Sequence, residues 1–455
     1  MHGSRERRGF VHKWFGPLPG RNEARAMSLM AVAAGVILCG LSIFRGLHGQ
    51  AFMGRPMGGD FIEFYVIGKI LNNFDPSRIY DLKFAVDLQH SILPSMAETQ
   101  MLLYAHAPYI ALLFKPFAML PYLWAYLAWL GFSAVLYLTG ITLLFRATAL
   151  PPEHRTIGFL LAVSFMPFLF ETWIGGQLSV VIFFLWTLCL WFRHQNRLFL
   201  AGLALALGIY KPTLIALPLA MLIIGRRWRI LQGFATGAVA VAAISIGLVG
   251  LDGCRGWLNT LVFAGRLAAG PGEAWHLAKS VDMSSFFHLL LFNASPLTGI
   301  VIAASGIIGF AVLARAWWQS SGWHADPAAH AAENWLWAAT LGLTLVVNSY
   351  APIYDTILVI AAVALAAGAM EGRGAAEQEA FRCWLLLLYM AAWITQSMAE
   401  FLHLQVYTLV LAGFAGWALQ MAHRTGLLTG SWQPIGVLED GAICMSGKKV
   451  LRHRV

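Results

Sequence analysis

Asp60 stands in Gly58-Gly59-Asp60, soon after the first long apolar stretch, and a carboxylate held there could take a proton from a hydroxyl as a general base. A second reading competes: Asp60 followed by Glu63 is a D-x-x-E capping arrangement that would open a helix. Lys211, in Lys211-Pro212-Thr213, lies deep inside the apolar stretch 198–224. A cation at that depth is costly, so it either snorkels to the interface or meets an anion such as a phosphate. Glu171 and Gln177 flank Gly175-Gly176 at a break between two apolar stretches, where they could line a cavity. Tyr350, Tyr354 and Asp355 mark another break beside Pro352; Asp355 equally suits a helix N-terminus, where its charge complements the dipole. Arg266, His276, Lys279 and His288 are the cationic or potentially cationic groups of 251–294, able to hold a lipid phosphate or only membrane head groups. His106, just before Pro108, reads first as structural.

These side chains stand out because charge is scarce. Charged residues are 12% of the 455 and hydrophobic ones 59%, with a mean hydropathy of +0.67. A soluble domain carries roughly 25% charged residues. The stretches 27–44, 237–251 and 356–370 hold none at all and read as spanning helices, whose backbone groups are satisfied internally. Short alternating strands are absent, which excludes an outer-membrane barrel. The net charge of +9 gathers at segment ends, as topology signals and contacts with anionic lipid do, so nucleic acid is not an expected partner. The five cysteines, Cys39, Cys189, Cys254, Cys383 and Cys444, form neither a CxxC pair nor a Cys/His cluster, which argues against a disulfide framework or a zinc site.

The expected fold is an all-α polytopic membrane protein of about twelve transmembrane helices. Apolar segments fall near 27–46, 107–120, 122–145, 156–173, 178–193, 198–224, 229–250, 295–317, 333–350, 353–370, 382–399 and 403–422. A basic tail at 1–26 places the amino terminus in the cytoplasm, so 47–105 is a first external loop. Arg226, Arg227 and Arg229 mark a cytoplasmic turn, 251–294 becomes a second large external loop, and the basic tail 423–455 returns to the cytoplasm. Two arrangements of 107–224 keep this parity: either 107–120 crosses, or it is re-entrant and 198–224 breaks at Lys211-Pro212. Within 47–105, Phe61, Phe64, Tyr65, Gly68 and Leu71 share one helical face, Asp75-Pro76-Ser77 ends that helix, and a second one starts at Asp81. Such amphipathic helices are expected in the head-group plane. Between the tails, 27–422 forms the transmembrane body.

Four stretches resemble the polyprenyl-phosphate-dependent glycosyltransferases of the GT-C superfamily, specifically glycosyltransferase family 87. They are Gly59-Asp60-Phe61 with 73–80; 104–121 with Pro108, Pro116 and Pro121; Gly176-Gln177 followed by 193–197, Ala201-Gly202, Lys211-Pro212-Thr213 and 226–229; and 348–355 ending in Tyr354-Asp355. The resemblance implies a GT-C-type fold in a bacterial-type inner membrane, with the active site on the outer face and both termini cytoplasmic. It implies a polyprenyl-phosphate-linked mannose or similar sugar as donor, and a lipid or glycan acceptor. Asp60 aligns with the family's early carboxylate and would deprotonate the acceptor hydroxyl, inverting the anomeric centre. Lys211, Arg266 and Lys279 would hold the donor phosphate. Glu63, His106, Gln177, His276, Tyr350 and Asp355 would contact substrates, and no metal or other cofactor is expected. The chain departs from the family at Pro352-Ile353, where a histidine is usual before Tyr-Asp, and at Ala105-His106-Ala107-Pro108. A lipid-linked sugar transporter and a non-catalytic envelope-assembly scaffold are the competing readings. No internal repeat of the transporter kind is visible, and the polar residues gather near one face.

Overall fold

The structure, a computed structural model, describes residues 21–52, 54–94, 96, 102–148, 150–269, 274–291, 296–322 and 327–425. Among them helices and turns account for the chain, with isolated bridges only between Phe52 and Arg55 and between Ser280 and Pro352. The α-helices are α1 (Arg21–Leu47), α2 (Phe61–Asn73), α3 (Leu82–Ile92), α4 (Tyr122–Ala147), α5 (Pro152–Val163), α6 (Ser179–His194), α7 (Leu198–Ala206) and α8 (Ala216–Ile224). They continue with α9 (Trp228–Ala269), α10 (Ala274–Lys279), α11 (Met283–Leu290), α12 (Pro296–Gln319), α13 (Pro327–Val346), α14 (Val359–Gly368), α15 (Ala375–Leu402) and α16 (Val406–His423). The basic tails 1–20 and 426–455, with Lys448, Lys449, Arg452 and Arg454, lie outside the described residues.

Among the described residues, five helices are long and apolar enough to cross a membrane: α1, α4, α9, α12 and α15. A sixth crossing exists if α5 and the Pro167–Ile174 π-helix, bent by 48°, form one span. The protein is a membrane-embedded helical bundle, but the expected dozen crossings are not reached. α6, Pro212–Ile224 and Ile353–Gly368 are shorter apolar pieces. They are largely buried against other helices, where an apolar surface is as well suited as it is against lipid. The 107–120 stretch forms two 3-10 turns, Pro108–Phe114 and Phe117–Met119, and no spanning helix. The 198–224 stretch breaks as the second arrangement requires, with Lys211 and Pro212 between α7 and α8; proline removes a backbone donor there.

Both expected helices of 47–105 form. Asp75 accepts from Ser77 N at 2.8 Å at the break, and Asp81 caps α3 by accepting from Phe84 N. The surface placement is corrected for α2. Its sequence FIEFYVIGKILNN is apolar on nearly every face, and all residues from Phe61 to Leu71 except Lys69 are buried. It is a core helix, not one lying among head groups. Within 251–294, residues 251–269 continue α9 as helix beyond a kink at Gly250, whose φ of 69° is open chiefly to glycine.

Irregular backbone at membrane depth persists only where protein satisfies it. Here several interruptions satisfy one another. Tyr210 OH donates to Leu178 O at 3.0 Å, Thr172 Oγ1 to Tyr354 O at 3.4 Å and Asn348 Nδ2 to Thr213 O at 3.5 Å. At their junction Lys211 donates to Asp355 and, at 2.9 Å, to Ser179 Oγ, whose own hydroxyl donates to Asp355 Oδ1 at 2.6 Å. The ammonium also lies 4.8 Å from the centre of the Tyr354 ring. At the other end of α6 and the start of α9, Arg193 and Arg227 share Glu333 at 3.5 and 3.3 Å.

The Lys211–Asp355 pair is almost fully buried, so removing one partner strands the other charge. Lys211→Met should therefore lower stability by about 3–5 kcal/mol, read as a fall in the melting temperature of the detergent-solubilised protein. Lys211→Met with Asp355→Leu should recover most of it. An unchanged melting temperature in the single variant contradicts the pairing.

Candidate active site around Asp60

Two glycine pairs build the site. Gly58 and Gly59, both at positive φ, turn the chain from α1 into α2, and Gly176, at φ +69°, turns it from the π-helix into α6. The two turns meet backbone to backbone. A Cβ on Gly59 would lie 2.6 Å from Gly175 O, and one on Gly176 would lie 2.5 Å from Gly58 O. Asp60 N donates to Gly175 O at 2.9 Å. Two tyrosines one turn apart on α4 tie down both sides: Tyr122 OH donates to Met57 O at 2.6 Å and Tyr126 OH to Ile174 O at 2.7 Å.

This interlock places Asp60 against Gln177, whose side-chain amide donates to the carboxylate. The capping reading is overturned, because the Asp60 side chain makes no hydrogen bond to the first turn of α2. The carboxylate is partly exposed and points to a polar cluster. Arg55, held by a tight turn with paired Phe52–Arg55 backbone bonds, forks onto Glu171 with contacts at 3.2 Å. Gln396 of α15 donates to the same carboxylate at 3.4 Å.

Lys279 joins the cluster from α10. Burial and the neighbouring Arg55 lower its pKa to about 8, opposed by Glu171, Asp60 and Glu400. Burial raises Asp60 above the usual carboxylate value, opposed by Arg55 and Lys279. Asp282 positions Lys279: buried, it caps α11 through Ser285 N at 2.8 Å and accepts from Ala351 N at 3.0 Å. Gln405 secures the same segment by donating to Ala278 O and Ser280 O. These contacts lay 278–282 beside 350–352, so Tyr350 and Tyr354 face the field of Asp60.

The expected residues divide into groups. Asp60, Gln177, Lys279 and Tyr350 come together, with Glu171. Glu63 is buried behind Asp60 and pushed well above the usual carboxylate range by burial and by Asp60. Lys211 and Asp355 pair with each other in an enclosed position, apart from the Asp60 cluster. Arg266 is exposed on α9, and none of the contacts described above includes it. His106 packs among Phe64, Tyr104 and Tyr210 and is held neutral, its pKa lowered to about 3 by burial and then by Lys211. His276 belongs to α10, but its side chain lies outside the described part. Sequence reasoning missed Arg55, Gln396, Asp282 and Gln405; a lone charge or amide near a helix end carries no periodic signal.

The chain matches Glycosyltransferase family 87 over residues 104–349. It belongs to that family. No curated protein and no solved structure matches it. The family match takes in Glu171, Gln177, Lys211 and Lys279, while Arg55 and Asp60 precede it and Tyr350 and Asp355 directly follow. This family 87 glycosyltransferase therefore draws its polar cluster from inside and outside the matched region.

If the glycine interlock sets the site, Gly176→Ala should destabilise the protein by about 1–3 kcal/mol through overpacking and left-handed strain. Gly40→Ala, on α1 with nothing within 4 Å of the added carbon, is the control and should change little. Equal melting temperatures for the two variants would show that the turns have room to separate.

Proposed function

We propose that this membrane glycosyltransferase moves a monosaccharide, mannose or a similar sugar, from a polyprenyl-phosphate donor to a hydroxyl of a lipid or glycan acceptor. The observation that carries the reading is the Asp60 carboxylate, turned away from its own helix and set beside Gln177, Arg55 and Lys279. Asp60 takes the proton of the acceptor hydroxyl as its oxygen bonds to the anomeric carbon. The bond from that carbon to the phosphate oxygen breaks on the opposite face, and its electron pair leaves with polyprenyl phosphate. Configuration inverts. Gln177 orients the base, and Arg55 and Lys279 offset the charge growing on the departing phosphate. In this assignment they replace Lys211 and Arg266, and the reaction is metal-independent.

The arginine-rich ends support an orientation. α4 runs 26 residues from Tyr122, beside the site, to Ala147, with Arg146 in its last turn at the far end, a length of roughly 39 Å at 1.5 Å per residue. Arg155, Arg193, Arg226 and Arg227 belong to that far end too, in agreement with a cytoplasmic location by the positive-inside rule. The site then faces the outer side, with the donor's polyprenyl chain in the membrane and both tails inside.

Purified protein in vesicles, supplied with a panel of polyprenyl-phosphate sugars and membrane lipid extract, should consume one donor. Asp60→Asn should fold as wild type and lose about 10²–10⁴ in rate; full activity in that variant removes the proposed base. The pH profile gives a second check. Activity should fall in acid as Asp60 gains a proton. It should also fall as pH rises through about 8, where Lys279 loses its charge. Lys279→Arg should extend the plateau to higher pH, since guanidinium stays protonated. An unmoved alkaline limb would assign that limb to another group.

A further inference from the structure

α2 begins with two carboxyls one helical turn apart, Asp60 just before its first residue and Glu63 within its first turn. Residues three apart on a helix lie on one face, so the two side chains are neighbours. Their surroundings differ. Asp60 is partly exposed and accepts from Gln177. Glu63 is only 7% exposed, and among the described residues its side chain makes neither a hydrogen bond nor an ion pair. Its oxygens nevertheless reach open space rather than being sealed. A buried carboxyl without a partner has lost what water would supply, so leucine or glutamine would serve a purely structural position better.

The space beside Glu63 has the chemistry of a sugar site. Its charged neighbours are Asp60 and Lys211. Lys211 is paired with Asp355 and Ser179, so Glu63 is the unpaired group between Asp60 and that ion pair. Tyr354 lies within the fields of both Asp60 and Glu63, and Tyr350 within that of Asp60. Both tyrosines are partly exposed. Aromatic rings with polar tips suit a sugar's apolar C–H face, and a lone carboxyl suits its hydroxyls. With the donor phosphate on Arg55 and Lys279, the anomeric carbon comes beside Asp60, and the rest of the sugar ring reaches the next polar group along α2. The acceptor hydroxyl then approaches Asp60 from the open side of the crevice.

We propose, resting on the glycosyl-transfer reading above, that Glu63 is a specificity-determining residue for the transferred sugar, pairing with hydroxyls of the donor's monosaccharide as it lies against Tyr350 and Tyr354. No bond to Glu63 forms or breaks in the reaction.

The test assays purified wild type, Glu63→Gln and Glu63→Leu with the polyprenyl-phosphate sugar that wild type consumes and with its monodeoxy analogues. In wild type, one deoxy position should lower kcat/KM by about tenfold or more, because the missing hydroxyl leaves Glu63 unpaired. Glu63→Leu should use that analogue and the parent sugar within about twofold of each other, both slowly, and Glu63→Gln should keep part of the discrimination. Without substrate, both variants should melt at or above the wild-type temperature, as expected where a residue is kept for function at the expense of stability. The assignment is overturned by a wild type indifferent to every deoxy position, by deoxy penalties unchanged in both variants, by an effect confined to the KM of the acceptor, or by a lower melting temperature in both variants. A wild type that consumes no polyprenyl-phosphate sugar overturns the glycosyl-transfer reading itself, and this assignment with it. Glu63→Gln nearly preserves the side chain's size, so the comparison stands even where Glu63→Leu fails to fold.

Discussion

A lysine ammonium enclosed among broken helices must meet an anion, and the bundle is arranged so that Lys211 meets Asp355. The pair joins the interruption after α7 to the one before α14, with Ser179 at the start of α6 as the third corner. Its desolvation is offset only while these elements stay in register. Interrupted helices at this depth would otherwise expose carbonyls and amides to hydrocarbon. Instead they satisfy one another through Tyr210, Thr172 and Asn348. The rest of the site inherits its positions from that junction.

From there the geometry propagates along short paths. α6 leads back through Gln177 to Gly176, and the glycine contact carries position across to Gly59 and Asp60. On the other side, Tyr354 and Tyr350 continue to Ala351, which Asp282 and Val281 hold against the segment bearing Lys279. A carboxylate and a cation far apart in sequence thus approach one another through backbone contacts. The charges nearest Asp60 lie in a partly open crevice, whereas Lys211 lies enclosed. A substrate phosphate would meet the first set and not the second.

The sequence made some of this legible. Helix type, the break at Lys211-Pro212 and the two helices of 47–105 followed from proline placement and apolar spacing. Asp60, Gln177 and Lys279 stood out because charge and amide are rare in such a chain. Other features were beyond a one-dimensional pattern. Among the described residues, five or six helices match the twelve expected crossings by length and composition; apolar helices buried in protein and those facing lipid have the same composition, as α6 illustrates. Lys211 was read as either snorkelling or meeting an anion such as a phosphate, and the carboxylate it meets lies 144 positions away. Arg55 escaped notice because an arginine in an external loop is ordinary until Glu171 is folded against it.

The account turns on where the donor phosphate is held. The most direct measurement is an experimental structure of the protein in nanodiscs with polyprenyl phosphate bound. The phosphate should lie within about 3 Å of Arg55 and Lys279, close to Asp60, with Lys211 still joined to Asp355. A phosphate on Lys211, with that ion pair broken, would contradict the account.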